Sequence, residues 1–295
     1  GKKMTVCQLY AKQIRHRGNV RYNTKNGRKR LMKLLEEDKL GGCPIDSVKL
    51  SDAKEWAIRM KEKGISYKTI SNDKRSLKAA FYTAIQDDCI RKNPFDFQLN
   101  TVIEDDTEPK VPLTPAQEES FLSFAQNDKV YQKYYDELII LLGTGLRISE
   151  LCGLTDTDID FEDRIINVDH QLLRSAETGY YIETPKTKSG IRQIPMSEKV
   201  YEAFNRVLKR RRGAKAVTID GYSNFLFLNR DGYPKTATNY DGMFRGLAKK
   251  YNKYHEEALP KVMTPHTLRH TFCTNMANAG MNPKALQYIM GHSNI

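Results

Sequence analysis

The chain has 295 residues, of which 39% are hydrophobic and 28% charged, and its 48 basic and 36 acidic side chains give a net charge of +12. No apolar run approaches the roughly 18 residues of a membrane span and no leader-like segment opens the chain, which excludes a membrane protein and predicts a soluble, intracellular protein of two domains. The five scattered cysteines include no C-x-x-C pair, which argues against a disulfide framework and a zinc site.

The positive charge is concentrated in the first third of the chain. Residues 1–103 hold 23 basic and 11 acidic side chains, whereas the remaining residues hold 25 of each. This asymmetry indicates a polyanionic partner, with nucleic acid the first candidate and an acidic membrane surface the second. A basic domain without such a partner is the other interpretation.

The hydrophobic periodicity of the first third predicts four helices, near residues 5–17, 22–38, 51–63 and 66–87. Ser66 is the expected N-cap of the last helix. The face opposite its core stripe carries polar side chains, namely Lys68, Thr69, Asn72, Lys74, Arg75 and Lys78. Asparagine can read adenine edges and basic side chains can hold phosphates, so this face fits a DNA groove. A solvated helix face fits the pattern equally well.

The segment 104–112 is acidic and contains two prolines. It cannot bury itself and its prolines interrupt regular structure, so we expect a linker here. The linker divides the chain into a helical domain, 1–103, and a second domain, 113–295. In the second domain, Thr114 and Pro115 are typical of a helix start.

The pattern of the second domain changes from helix to strand and back. We expect helix over 131–142, a break at Gly143–Gly145, and renewed helix up to Leu151. Three short strands are then predicted, with the last two joined by a polar turn at 186–190. The strands are 165–168, 180–183 and 192–195. Helices resume at Glu198, so the fold class is mainly α with a small antiparallel β-sheet (α+β).

Two short motifs carry chemistry. Thr264 and Pro265 are typical of a helix start, which places His266 in the first turn and Arg269 on the same face. Free backbone N–H groups, the helix dipole and a guanidinium favour a phosphate there. The second motif places Arg147 directly after a glycine-containing break.

Three other types of site are excluded. A metalloprotease helix needs a glutamate where this chain has Thr267, and the glycines around Thr144 do not have the spacing of a phosphate-binding P-loop. A calcium loop starting at Asp156 would need a glycine at the position of Phe161. We therefore predict no metal site.

Four separated elements occur in a fixed order. They are Leu-x-Thr-Gly-Leu-Arg-x-Ser-Glu-Leu around Arg147, the lysine-bearing strand turn, His-x-x-Arg-His from His266, and the Gly-His-Ser that contains His292. In this order they resemble the tyrosine recombinases, or phage-type integrases, and most of all the branch carried by conjugative transposons. The resemblance spans nearly the whole chain and implies a core-DNA-binding domain followed by a catalytic domain.

The resemblance implies a pocket for the scissile phosphate. Arg147 and Arg269 would grip its non-bridging oxygens and stabilise a phosphorane-like transition state. Lys188 would protonate the leaving 5′-oxygen as general acid, with Lys186 as its rival. His266 would assist proton transfer at the nucleophile or donate to the phosphate.

Two further residues complete the implied pocket. His292 would donate to a non-bridging oxygen, and Glu150 would help to orient the pocket. The nucleophile of the family is a tyrosine about ten residues after the Gly-His element, under three helical turns, so it is expected beyond Ile295. Tyr288 precedes His292 on a helix that we expect to face the core, and we assign it to packing.

The expected function is site-specific DNA recombination through a 3′-phosphotyrosyl intermediate, which excises and integrates a mobile element. The resemblance implies double-stranded DNA as partner, a tetramer at a Holliday junction, an excision factor, and no cofactor, ATP or metal. It also implies action at the bacterial nucleoid in the cytoplasm, and an arm-site DNA-binding domain before residue 1. Two alternatives are a type IB topoisomerase-like enzyme and a catalytically silent or architectural DNA-binding protein.

Overall fold

The computed structural model describes residues 3–185 and 187–292. The chain divides into two compact units, Gly1–Glu108 and Pro109–Ile295. Residues 104–114 have no regular secondary structure. The domain boundaries expected at 103 and 113 stay a prediction.

The first unit is helical and has its own core. Its described residues form the helices α1 Val6–His16, α2 Tyr22–Glu37, α3 Leu50–Glu62 and α4 Tyr67–Gln86, which confirms the four predicted helices. Ser66 caps α4 by accepting from the backbone N–H of Thr69 at 3.3 Å. Trp56 is fully buried, with its ring 5.8 Å from that of Phe95 in an edge-to-face arrangement. Phe81 of α4 lies 5.4 Å from the same Phe95 ring, so α3 and α4 pack around one aromatic centre.

The second unit combines helices with short strands. Its helices are α5 Pro115–Asn127, α6 Tyr135–Thr144, α7 Ile148–Gly153, α8 Glu198–Arg211, α9 Ala237–Tyr254, α10 Pro265–Asn278 and α11 Pro283–Met290. Helix α6 is apolar on every side from Leu138 to Leu142, and it packs against α5, α8 and α10, as a central core helix should. Among the described residues, no helix has both the length and the apolar composition that crossing a membrane requires.

The predicted break at Gly143–Gly145 is wrong in its position. Helix α6 continues through Gly143 to Thr144 and ends at Gly145, which adopts a left-handed conformation with φ +66°. A Cβ at Gly143 would lie 2.4 Å from the side chain of Val200. This glycine therefore allows close packing of α6 against α8, and only Gly145 terminates the helix.

Within the described residues, two small antiparallel sheets stand where one was predicted. The strands are β1 Ile159–Asp160, β2 Ile165–Val168, β3 Gln171–Ser175, β4 Gly179–Glu183 and β5 Arg192–Pro195. The first sheet has the order β1-β2-β5, and the second pairs β3 with β4.

The two strands on either side of the polar turn at 186–190 do not pair with each other. Strand β4 pairs instead with β3, where Leu172 faces Ile182, and β5 pairs with β2, where Ile166 faces Ile194. Strand β3 was missed because its sequence, Gln-Leu-Leu-Arg-Ser, lacks the β-branched and aromatic residues that favour strands. The sequence pattern therefore did not reveal the hairpin formed by β3 and β4.

Candidate active site

Helix α10 presents an arginine to the interior of the second unit. Pro265 opens the helix, so His266 lies in its first turn and Arg269 one turn later on the same face. Arg269 is only 3% exposed. Its Nη1 donates to the carbonyl oxygen of Gly145 and its Nη2 to that of Met290. The guanidinium thus joins the end of α6 to the end of α11.

Arg147 reaches the same place from the other side. It occupies the N-cap position of α7, where its backbone N–H donates to Oε2 of Glu150 and its Nη1 to Oε1, both at 2.9 Å. Its Nη2 donates to the carbonyl oxygen of Gly291 at 3.3 Å. The side chain is 39% exposed, so part of this guanidinium remains accessible to a ligand.

Glu150 pairs with a third arginine that the sequence analysis missed. Arg192 on β5 is 2% exposed, and its Nη1 and Nη2 donate to the two carboxylate oxygens of Glu150 at 2.9 and 2.8 Å. A signal was present in the strand, since Arg192 shares the inward-facing phase of Ile194. A charge at such a position needs a buried partner.

Two glycines let the backbone approach these arginines. Gly145 and Gly291 both adopt left-handed conformations, with φ +66° and +64°. A Cβ at Gly291 would lie 3.0 Å from Nη1 of Arg192 and 3.3 Å from Nη1 of Arg147. Glycine is therefore required at the end of α11 both for its conformation and for the space that the arginines occupy.

Both pocket histidines favour the neutral form. Nε2 of His292 lies 3.0 Å from Nη2 of Arg269, and since a guanidinium only donates, Nε2 accepts this hydrogen bond. His292 is exposed, and partial desolvation, followed by the charges of Arg269 and Arg147, lowers its pKa. Partial burial, followed by the charges of Lys110 and Arg269, also lowers the pKa of His266.

The charges of the pocket act on each other. Burial, followed by the charge of Arg147, lowers the pKa of Arg269 to about 10, which still leaves it protonated at neutral pH. Burial alone would raise the pKa of Glu150, but the hydrogen bonds and charge of Arg192, with those of Arg147, bring it below its ordinary value. Glu150 is therefore a carboxylate enclosed by cations.

The candidate general acids, Lys188 and Lys186, are close in sequence to Arg192. Lys188 is exposed and begins a short 3-10 turn that ends at Gly190, whose carbonyl oxygen accepts from Nη1 of Arg192 at 3.3 Å. Among the described residues, no hydrogen bond or ion pair joins the Lys188 ammonium to the three arginines or to Glu150. Lys186 lies outside the described residues.

The assignment of Tyr288 to core packing is wrong. Leu286 and Ile289 of α11 are buried, but Tyr288 is 51% exposed on the other side of the helix. Its hydroxyl oxygen accepts from the backbone N–H of Gln193 at 3.0 Å, which ties α11 to β5. The error came from treating neighbours in sequence as neighbours in burial, although they are separated by 100° around a helix.

The predicted DNA-binding face on α4 is only partly free. Lys68, Asn72 and Arg75 are exposed and follow helical spacing along one stripe. The other three candidates have local partners. Thr69 accepts from the Ser66 hydroxyl, Lys74 lies 4.5 Å from the ring centre of Phe97, and Lys78 pairs with Asp96 at 2.6 Å.

The second unit matches the model of the phage integrase family over residues 112–295. The chain belongs to the phage integrase family. The transposase of transposon Tn916 from Enterococcus faecalis is 68% identical over 295 residues, which cover all of this chain and 73% of the relative. Tyrosine recombinase XerA from Pyrococcus furiosus is 30% identical over 274 residues, 90% of this chain and 77% of the relative. The resemblance to tyrosine recombinases is confirmed.

Solved structures of phage integrases agree with this assignment. The Tn1549 transposon integrase in complex with a circular intermediate DNA is 76% identical, with a TM-score of 0.95 over 99% of this chain and 93% of that chain. A lambda integrase dimer bound to a core site matches with a TM-score of 0.65 at 16% identity, over 98% of this chain and 91% of that chain, a likeness of fold. The predicted fold class and enzyme class, a site-specific recombinase, are confirmed.

For this phage integrase, the structure assembles much of the expected pocket. Arg147, Arg269 and His292 meet at the end of α11, and His266 is near enough for their charges to affect it. Among the expected pocket residues that the structure describes, Lys188 is the one for which no contact with this group is seen. The individual roles of these residues stay predictions.

Proposed function

We propose that this phage integrase excises and integrates a mobile element by cleaving and rejoining DNA through a 3′-phosphotyrosyl intermediate. The observation that carries the proposal is the convergence of Arg147 and Arg269 at one place, with two neutral histidines beside them. Two guanidinium groups side by side repel each other, and a phosphate between them removes that cost.

The two arginines would bind the non-bridging oxygens of the scissile phosphate. A guanidinium has five N–H donors, and the carbonyl and carboxylate contacts of Arg147 leave donors available on its exposed side. As a nucleophile attacks phosphorus, negative charge grows on these oxygens. Fixed cationic donors lower the barrier because they are already oriented toward that charge.

Proton transfer would involve the lysine and the histidines. A tyrosine oxygen forms a bond to phosphorus, the bond to the 5′-oxygen breaks, and Lys188 (with Lys186 as its rival) gives that oxygen a proton. His266, held neutral by its lowered pKa, would assist removal of the tyrosine proton. We infer that a phosphate oxygen replaces Nε2 of His292 as the partner of Arg269.

The nucleophile and the assembly are proposals drawn from the family. We place the tyrosine beyond Ile295, about ten residues and under three helical turns after the Gly-His element. Support for a DNA-bound oligomer comes from lambda integrase, which is known as a tetramer bound to a Holliday junction. We propose double-stranded DNA, further copies of this chain and an excision factor as partners.

The exposed stripe of α4 would contribute to recognition of the site. Lys68 and Arg75 would contact phosphates and Asn72 a base edge, within a DNA-binding domain that we propose to span 1–103. Catalysis would belong to 113–295, with 104–112 as linker. The place of action we propose is the nucleoid in the bacterial cytoplasm.

An intermolecular strand-joining assay tests the proposal. The chain, continued through the expected tyrosine, is incubated with two labelled duplexes that carry its recombination site. Joined products of recombinant length are the expected result. Relaxation of supercoiled DNA without joining would favour a topoisomerase-like enzyme, and tight binding without cleavage would favour a silent DNA-binding protein.

A further inference from the structure

Three consecutive carbonyl groups at the end of α11 accept hydrogen bonds from three different arginines. Arg192 donates to the carbonyl of Ile289, Arg269 to that of Met290, and Arg147 to that of Gly291. The C-terminal carbonyls of a helix have no partner within the helix and carry partial negative charge. The end of α11 is therefore a common anchor for the arginines.

Arg192 differs from the other two arginines because each of its three guanidinium nitrogens already donates to a protein oxygen. It is 2% exposed, and its Nε donates to Ile289 while its Nη atoms donate to Glu150 and Gly190. A side chain so enclosed cannot touch a DNA phosphate. Any effect of Arg192 on the reaction must pass through its neighbours.

Glu150 is the neighbour through which such an effect would pass. Its Oε1 accepts from Nη1 of Arg147 and from Nη1 of Arg192, each at 2.9 Å, and its Oε2 accepts from Nη2 of Arg192 at 2.8 Å. The carboxylate thus lies between the exposed arginine and the buried one. The three side chains together carry one net positive charge.

Removal of Arg192 would change the state of Arg147. Without Arg192, Arg147 would be the one arginine left beside the buried carboxylate of Glu150. A bidentate pair is the strongest arrangement that Arg147 and Glu150 can form. In that arrangement the charge of Arg147 is cancelled and its fork faces Glu150. A phosphate would then have to compete with Glu150 for the same donors.

We propose that Arg192 is a positioning residue of the recombinase, which neutralises Glu150 so that Arg147 keeps its charge and its accessible donors for the scissile phosphate. This inference rests on the proposed function. An alternative is that the buried pair of Arg192 and Glu150 stabilises the fold and nothing more. The two accounts differ in the cleavage rate that they predict when Arg192 and Glu150 are both replaced by neutral residues.

A double-mutant cycle on the chain continued through its expected tyrosine separates them. The variants are Arg192→Gln, Glu150→Gln and the two combined. The measurements are the single-turnover cleavage rate on a nicked suicide duplex, the affinity for that duplex, and the melting temperature. Arg164→Gln is the matched control, because Arg164 forms an exposed pair with Glu198 in the same unit.

We expect Arg192→Gln to slow cleavage by about 100-fold with DNA affinity within about threefold of the unmodified chain. In the Glu150→Gln background, the same substitution should slow cleavage by less than about tenfold, because no carboxylate is left to capture Arg147. Arg164→Gln should cleave like the unmodified chain.

Three results would overturn the inference. They are an unchanged cleavage rate in Arg192→Gln, a loss of about tenfold or more in the Glu150→Gln background, and a loss of DNA affinity as large as the loss of cleavage. If Arg192→Gln does not fold, the comparison within the Glu150→Gln background decides alone. Failure of the unmodified chain to cleave would instead count against the proposed function.

Discussion

The arginines of the candidate active site and the basic residues of the exposed α4 stripe differ in burial and in their hydrogen-bond partners. Arg269 and Arg192 are buried and bonded to carbonyl or carboxylate oxygens. Lys68 and Arg75 on α4 are exposed. Fixed, desolvated donors suit transition-state charge, whereas mobile surface charges suit binding to a DNA backbone. The same residue types can therefore serve the reaction rate in one unit and DNA affinity in the other.

Substitution of a pocket arginine should give the largest effect and separates rate from affinity. Arg147→Ala or Arg269→Ala should slow strand cleavage by about 1,000-fold or more, because each removes donors aimed at the developing charge. DNA affinity should stay nearly unchanged in a filter-binding or fluorescence assay. An equal fall in binding would show that the pocket holds DNA in the ground state, and the contrast with α4 would disappear.

Substitution of Lys188 tests the proton donor of the same pocket. Lys188→Ala should slow cleavage by about 100- to 10,000-fold, the range for loss of a general acid. A duplex with a 5′-bridging phosphorothiolate should restore the rate, since its sulfur leaves without a proton. The Lys186→Ala variant is the control, and rescue of that variant alone would transfer the role to Lys186.

Removal of charge from α4 should give the reverse pattern. The double variant Lys68→Ala/Arg75→Ala should weaken DNA binding and lower the salt dependence of log K by about one unit for each lost phosphate contact. The cleavage rate of the bound complex should not change. Lys33→Ala is the control, since Lys33 is an exposed lysine on α2, and a similar loss there would remove any special role of the stripe.

The pH dependence should give the smallest effect and concerns His266. Its lowered pKa means that the neutral imidazole, which can accept a proton, persists below the ordinary histidine pKa near 6.5. Cleavage by the unmodified chain should therefore be constant at neutral pH and fall only when the pH passes below that ordinary value. His266→Gln should lack this acidic limb. An inflection above pH 6.5 would contradict the neutral-base role.

The lowered pKa of His266 should also make the stability of the folded chain depend on pH. Because the unfolded chain binds the proton more readily than the folded one, protonation of His266 favours unfolding. The contribution is constant above the ordinary pKa and decreases as the pH falls from it toward the lowered one. In the His266→Gln variant, the melting temperature should therefore depend less on pH over that window.

Local signals predicted much of the fold. Ser66 and Thr114 were recognised as helix caps because capping depends on a residue and its neighbours three positions away, and both accept the expected backbone hydrogen bond. Arg147 and Arg269 were recognised through motif order. What such signals lack is information on packing between distant segments.

The errors have this cause in common. The sequence predicts a break at Gly143, but this residue is helical, and its lack of a side chain leaves room for Val200 of α8. Arg192 was missed because its partner, Glu150, is 42 positions away in the chain. Local patterns do not reveal the partner of β5 for the same reason, since β5 joins a strand that is not its neighbour in sequence.

The most direct test of the account is covalent trapping on a nicked suicide duplex, followed by peptide mapping of the adduct. The chain continued beyond Ile295 should form a 3′-phosphotyrosyl adduct at a tyrosine shortly after His292, and Arg147→Ala should form almost none while still binding the duplex. No adduct despite tight, salt-sensitive binding, or an adduct that Arg147→Ala forms equally well, would contradict it.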